Sequence, residues 1–126
     1  MAIRSNTRPL RAERLELEPC IKLWVEKDGR LVLSDYRVRI LQLVRETGSL
    51  ARAAERLGLS YRRAWGKVRE IEQNLGLSLV ESEVGGAGGG GSSLTADGER
   101  LVALYERFRR RMERELGKEF RQLFKE

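Results

Sequence analysis

The sequence predicts a mainly α fold with a small β component. Three observations carry that prediction. Between Ser34 and Gly76 three short amphipathic segments follow one another, each opened by a serine and closed by a glycine. Ahead of them, apolar and polar residues alternate around an Asp28-Gly29 pair. After Thr95, apolar residues recur at gaps of three and four. The first pattern is that of consecutive capped helices, the second of a hairpin, the third of one long helix.

The elements follow in order. Ile21, Leu23 and Val25 alternate with Lys22 and Trp24, so a strand opens the folded part. Asp-Gly is the strongest short hairpin signal, and Leu31, Val32 and Leu33 return as the second strand. Ser34 caps a first helix, with Tyr36, Ile40, Leu41 and Val44 as its stripe and Gly48 at its end. Ser49 caps a second helix carrying Leu50, Ala53, Ala54 and Leu57, and Gly58 stops it. Ser60 caps a third, whose stripe is Ala64, Val68, Ile71 and Leu75, ending at Gly76. Leu77 to Glu81 reads as a short strand, and 85–93 is glycine-rich. Thr95 caps the last helix, with Leu101, Leu104, Tyr105, Phe108, Met112, Leu116, Phe120 and Leu123 on one stripe.

The chain has 126 residues, 40% hydrophobic and 35% charged, which suits one ordinary domain with one core. The net charge of +6 argues for a polyanionic partner, against the plainer reading of solubility alone. Arginine outweighs lysine, which leans toward bidentate phosphate and guanine contacts. There is no histidine and one cysteine, Cys20. That removes the commonest general base and metal ligand, so no enzyme, cofactor or metal site is expected. No window is apolar enough to cross a bilayer and Met1 to Leu10 lacks a signal-peptide core, so a cytoplasmic protein with no membrane role is expected. The segment 1–20, with Arg4, Arg8, Arg11 and Arg14, fits either a loosely ordered tail or a basic arm.

The second and third helices are joined by the short turn Gly58-Leu59, and the second is alanine-rich. This is a helix-turn-helix pattern with a recognition helix beginning Ser60-Tyr61-Arg62-Arg63. At about 100° per residue, Ala64, Ile71 and Leu75 lie within about 60° of Val68. Arg62, Arg63, Gly66, Arg69, Glu70 and Gln73 fall on the opposite face, which suits a major groove. Gly66 costs up to about 1 kcal/mol inside a helix, so either close approach to a base pair or helix packing accounts for it.

Arg62 and Arg63 are candidates for guanine or phosphate. Ser60 and Tyr61, with nearby amides, fit phosphate, and Lys67 and Arg69 fit backbone at the groove edges. Ser49 at the cap of the preceding helix joins the same set. The strand, glycine loop and return to Thr95 form a wing, in which Gly85, Gly86, Gly88, Gly89, Gly90 and Ser92 can bring main-chain amides to phosphate. Gly86, Gly88 and Gly91 match G-x-G-x-x-G only formally, since no strand–helix unit surrounds them and no lysine follows.

Gly48-Ser49-Leu50-Ala51-Arg52-Ala53-Ala54, Ser60-Tyr61-Arg62-Arg63-Ala64-Trp65, Leu79-Val80-Glu81, the glycine run and Leu94-Thr95-Ala96-Asp97-Gly98 together resemble the N-terminal domain of the ModE family. These are molybdate-responsive regulators with a winged helix-turn-helix of the LysR type. The resemblance covers 21–108. It implies a dimeric DNA-binding domain whose long last helix pairs with its partner. The stripe Leu101 to Leu123 points the same way, with folding back onto its own domain as the alternative. The expected organisation is therefore a basic arm over 1–20, a winged helix-turn-helix over 21–95 and a dimerisation helix over 96–126. Two departures stand out. The sequence ends at Glu126 without the oxyanion-binding domains of the family, which weakens molybdate or tungstate as a direct effector. Ser82 and Glu83 follow the wing strand where the family leads one to expect a basic residue.

The function expected is a sequence-specific regulator that binds an inverted repeat in double-stranded DNA as a homodimer. A non-specific architectural DNA protein and a winged-helix protein-interaction module are the alternatives.

Overall fold

A computed structural model describes residues 8–83 and 91–125. The elements run α1 (Ala12–Leu15), β1 (Trp24–Lys27), β2 (Arg30–Ser34), α2 (Asp35–Thr47), α3 (Leu50–Arg56), α4 (Tyr61–Leu75), β3 (Val80–Ser82), β4 (Ser92–Leu94) and α5 (Ala96–Leu123). The chain divides into two units, Lys22–Arg107 and the two terminal segments Met1–Ile21 and Phe108–Glu126. One boundary therefore falls between 21 and 22 and the other inside α5, between 107 and 108.

In the larger unit β1 and β2 pair antiparallel around Asp28-Gly29. Both turn residues have positive φ (52° and 76°), the conformation a two-residue hairpin needs and Asp-Gly tolerates. The register shifts once: Val25 faces Leu33 but Glu26 faces Leu31. Val32 is the extra residue of this bulge, so Val32 and Leu33 are both buried where strict alternation would bury one. Regular pairing starts at Trp24, so Ile21 and Leu23 lie before the strand expected to contain them. They are nonetheless half-buried while Lys22 and Trp24 are exposed, as the alternation requires.

The three helices start and stop as the sequence says. Ser34, Ser49 and Ser60 each accept a hydrogen bond from the backbone N–H three residues on, those of Arg37, Arg52 and Arg63. Gly48 and Gly76 close α2 and α4 in the left-handed conformation. Each cap contributes about 1 kcal/mol, whereas each fully buried Leu, Ile or Val contributes about 1.5–3 kcal/mol. The caps thus fix the boundaries and the core fixes the stability. That core includes Val38, Ile40, Leu41 and Val44 of α2, Leu50, Ala53 and Ala54 of α3, and Ala64, Val68 and Ile71 of α4. Tyr36, expected on the α2 stripe, is instead 42% exposed: it stands in the first turn, ahead of the packed part of the helix.

β3 and β4 pair antiparallel, Val80 opposite Leu94 and Ser82 opposite Ser92. The strand begins at Val80 rather than Leu77. The Leu79 amide is taken by a side chain of α4, described below, and not by a ladder. The Thr95 hydroxyl accepts from the Gly98 N–H at 2.9 Å and donates to the Ser78 carbonyl at 2.6 Å, capping α5 onto the strand entry. Gly98 fits against the backbone of Leu79 so closely that a Cβ there would overlap the Leu79 carbonyl.

In the terminal unit, α1 is held by one hydrogen bond from the Ala12 N–H to the Phe124 carbonyl, 2.7 Å. The Phe120 and Phe124 rings stack with centroids 4.5 Å apart. The part of the expected arm described here is thus a short helix fastened to the end of α5.

Candidate nucleic-acid interface

The polar face of α4 is set by what its other face touches. Ala64 is fully buried, as are Ala53 and Ala54 on α3, so the two helices approach across small side chains. The link between them is 57–60. There the Gly58 N–H reaches the Glu55 carbonyl at 3.1 Å, and the Leu59 N–H reaches the Ala54 carbonyl at 2.9 Å. With Val68 and Ile71 in the core, Arg62, Arg63 and Gly66 are left exposed. Neither Arg62 nor Arg63 makes a side-chain hydrogen bond or ion pair among the described residues. Tyr61 is exposed beside them. A Cβ on Gly66 would meet nothing within 4 Å, so no packing contact among the described residues calls for a glycine there.

Two of the expected backbone contacts are turned to the flanks. The Lys67 ammonium stands 5.7 Å from the ring centroid of Tyr36, on the hairpin side. The Arg69 guanidinium lies 5.6 Å from the ring centroid of Trp65 and 3.5 Å from Glu72, on the wing side. Both can still reach solvent, but each already has a partner.

Two charged residues that the sequence pattern did not single out hold α4 in place. Arg37 is buried; its guanidinium donates to the carbonyls of Leu31 and Val32 at 3.3 and 3.4 Å and pairs with Glu70 at 3.1 Å. It therefore joins the hairpin, α2 and α4. Glu72 is buried too, and its Oε2 accepts the N–H groups of Leu79 and Val80 at 2.7 and 3.3 Å. An isolated buried carboxylate would be costly; two amides and Arg69 compensate it. Glu72 ties the last turn of α4 to the first strand of the wing.

The wing base is fixed at its other strand as well. The Ser92 N–H donates to the Gly48 carbonyl at 2.9 Å, and a Cβ on Gly91 would stand 2.9 Å from the same oxygen. The Glu83 N–H donates to the Gly91 carbonyl at 2.8 Å. Gly85, Gly86, Gly88, Gly89 and Gly90 lie outside the described residues. Ser49 and Ser60 use their hydroxyl oxygens as helix caps, which leaves each O–H free to donate.

The stripe expected to pair two copies divides. Tyr105 is 5% exposed, and its hydroxyl bonds the Leu23 carbonyl and Asp35. It packs into the core of its own unit. Leu101 is half-buried against that core. Leu104, Phe108 and Leu123 are exposed, and Met112, Leu116 and Phe120 are half-buried. Among the described residues no helix is long and apolar enough to cross a membrane.

Capped α3 and α4 joined by a glycine turn, followed by a two-stranded wing, define a winged helix-turn-helix protein. The chain belongs to the bacterial regulatory helix-turn-helix proteins of the lysR family, matched over residues 36–99. It is 37% identical over 86 residues to "Transcriptional regulator ModE" of Yersinia pestis, covering 68% of this chain and 33% of that protein. To "Molybdenum transport protein ModE" of Azotobacter vinelandii it is 37% identical over 84 residues, 67% of this chain and 31% of that one. To "Molybdenum-pterin-binding protein MopB" of Rhodobacter capsulatus it is 42% identical over 69 residues, 55% and 26% of the two chains. The crystal structure of ArgP from Mycobacterium tuberculosis superposes with a TM-score of 0.50 at 26% identity, over 65% of this chain and 29% of that one. The chain thus spans about a third of the length of the ModE relatives it matches. The family is one of regulators, not enzymes.

Proposed function

We propose that the chain is a sequence-specific, DNA-binding transcriptional regulator acting in the cytoplasm, with α4 entering the major groove. The observation that carries this reading is the open face at the start of α4. Arg62 and Arg63 stand exposed without a partner among the described residues, beside a Gly66 whose Cβ position is empty. A guanidinium free of intramolecular pairs can meet guanine O6 and N7 bidentately, worth about 1–3 kcal/mol of discrimination per base. Gly66 lets the helix axis approach the base edges. Ser49, Ser60 and Tyr61 fit phosphate positioning, and the wing fits the adjacent backbone.

The protein binds as a homodimer in this reading. The exposed Leu104, Phe108 and Leu123 support it, since apolar residues of that size at helical spacing favour a covering surface. Two copies read an inverted repeat with half-sites about one helical turn apart.

The test is selection of binders from random duplex DNA. An enriched inverted repeat that is lost in Arg62→Ala/Arg63→Ala is the expected result. Binding without an enriched sequence would replace this reading by an architectural DNA protein; absence of duplex binding would replace it by a protein-interaction module. Molybdate or tungstate as an effector rests on the family resemblance alone. A melting temperature unmoved by millimolar oxyanion would separate this chain from direct sensing.

A further inference from the structure

In the terminal unit, α5 gathers five of its six cations, all but Arg109, on one side. At about 100° per residue, Arg110, Arg111, Arg114, Lys118 and Arg121 fall within an arc of about 100°. All five are exposed. Glu113, Glu115 and Glu119 lie outside that arc, and Glu113 is taken by Arg109 at 3.0 Å. None of the five cations has an ion pair among the described residues. An ordinary solvated helix face alternates its charges and gains from opposite signs three and four residues apart. Within the row those spacings join like charges, Arg110 with Arg114, Arg111 with Arg114, Arg114 with Lys118, and Lys118 with Arg121. The opposite charges at the same spacings, Glu113 and Glu115, form no ion pair with the row among the described residues. The helix carries this repulsion in the free protein, and a polyanion laid along the row would relieve it.

We infer that this basic row of α5 is a second DNA contact surface, which binds the phosphate backbone of duplex DNA without reading sequence. The row is about 17 Å long at 1.5 Å per residue, enough to span the roughly 12 Å major groove from strand to strand. Its cations are long and exposed and follow one line along the helix, as contact with successive phosphates requires. An anionic membrane is the other polyanionic surface, but a helix lying on a membrane inserts its apolar face. Here Phe120 stacks on Phe124, whose carbonyl holds Ala12, and the exposed Phe108 and Leu123 of that face are covered by the second copy in the proposed dimer. Phosphate contact requires only the cations.

The inference rests on the reading of the chain as a DNA-binding protein, and the experiment separates the two. Binding of the full chain to a duplex lacking any selected site is measured against salt concentration. The comparison includes Arg110→Gln/Arg114→Gln/Lys118→Gln, the corresponding Arg110→Lys/Arg114→Lys, and Arg62→Ala/Arg63→Ala. Glutamine keeps helix propensity, so circular dichroism should be unchanged. The expected result is a salt slope lower by about 0.9 for each lost phosphate contact, up to about 2.7 for the glutamine variant. The lysine variant should keep the wild-type slope. Arg62→Ala/Arg63→Ala should lose sequence preference while retaining most non-specific binding. An unchanged slope in the glutamine variant would overturn the second surface while leaving the recognition helix intact. Loss of phosphatidylserine-vesicle binding in that variant, with duplex binding unaffected, would overturn it in favour of a membrane. Absence of duplex binding by the wild type would overturn both readings.

Discussion

Helix α5 behaves as two different helices along its length. Up to Arg107 it belongs to the larger unit and buries Gly98, Val102 and Tyr105. From Phe108 to Lys125 the apolar residues keep the same spacing, yet no described residue is buried. The larger unit covers its part of the helix with the hairpin, α2 and the strand leading into the wing. In the terminal unit, α1 and its flanking residues are what lies on the helix among the described residues. Periodicity therefore fixes which face of a helix is apolar. Whether that face is covered depends on which other elements pack against it.

The largest expected effect tests this contrast directly. Ile71→Ala in the core of the larger unit should cost about 2–5 kcal/mol in urea denaturation, because the site is fully enclosed. Leu116→Ala, measured where the chain is monomeric, should cost about 1 kcal/mol or less. Equal losses would show that the second half of α5 is as well covered as the first. Next in size, Glu72→Ala should cost about 2–3 kcal/mol, since two buried amides lose their acceptor. Glu72→Gln should cost less, because the amide oxygen still accepts.

Two glycines of α5 sharpen the comparison. Gly98→Ala should destabilise by about 1–3 kcal/mol, because its Cβ would meet the rigid backbone of Leu79. Gly117→Ala should stabilise by about 0.5–1 kcal/mol, because its Cβ would meet only the mobile end of the Arg121 side chain. Thermal melts of the two variants should move in opposite directions. The smallest effect on stability is a gain of similar size for Gly66→Ala, where the space is empty. That variant should nevertheless bind its selected duplex more weakly, as a gel-shift titration would report. A gain in both would remove the groove-approach explanation of Gly66.

Much of this was legible in the sequence for a local reason. Ser34, Ser49 and Ser60 act on amides three residues away, and the Asp28-Gly29 turn needs only its own backbone angles. Nothing distant has to be known to read such signals. Arg37 and Glu72 were not legible. Their burial depends on the carbonyls of Leu31 and Val32 and the amides of Leu79 and Val80, brought up by other elements. In a helical period they read as polar surface. Tyr36 and Tyr105 failed in opposite directions for the same reason: both fit an apolar stripe, and only the neighbouring elements decide which one is covered. On α4, the exposure of Arg62, Arg63 and Gly66 was readable from angle alone, whereas the diversion of Lys67 to Tyr36 and of Arg69 to Glu72 was not.

The hydrogen bond from the Ser92 N–H to the Gly48 carbonyl has a consequence for motion. Gly48, whose N–H closes α2 on the Val44 carbonyl, accepts through its own carbonyl the N–H of the first residue of β4. Lifting of the wing base breaks this bond, so the wing base and the capped end of α2 are expected to open together. In amide hydrogen exchange, the Ser92 proton should report on both elements together, exchanging at the rate of the cooperative unit and not at that of a surface loop.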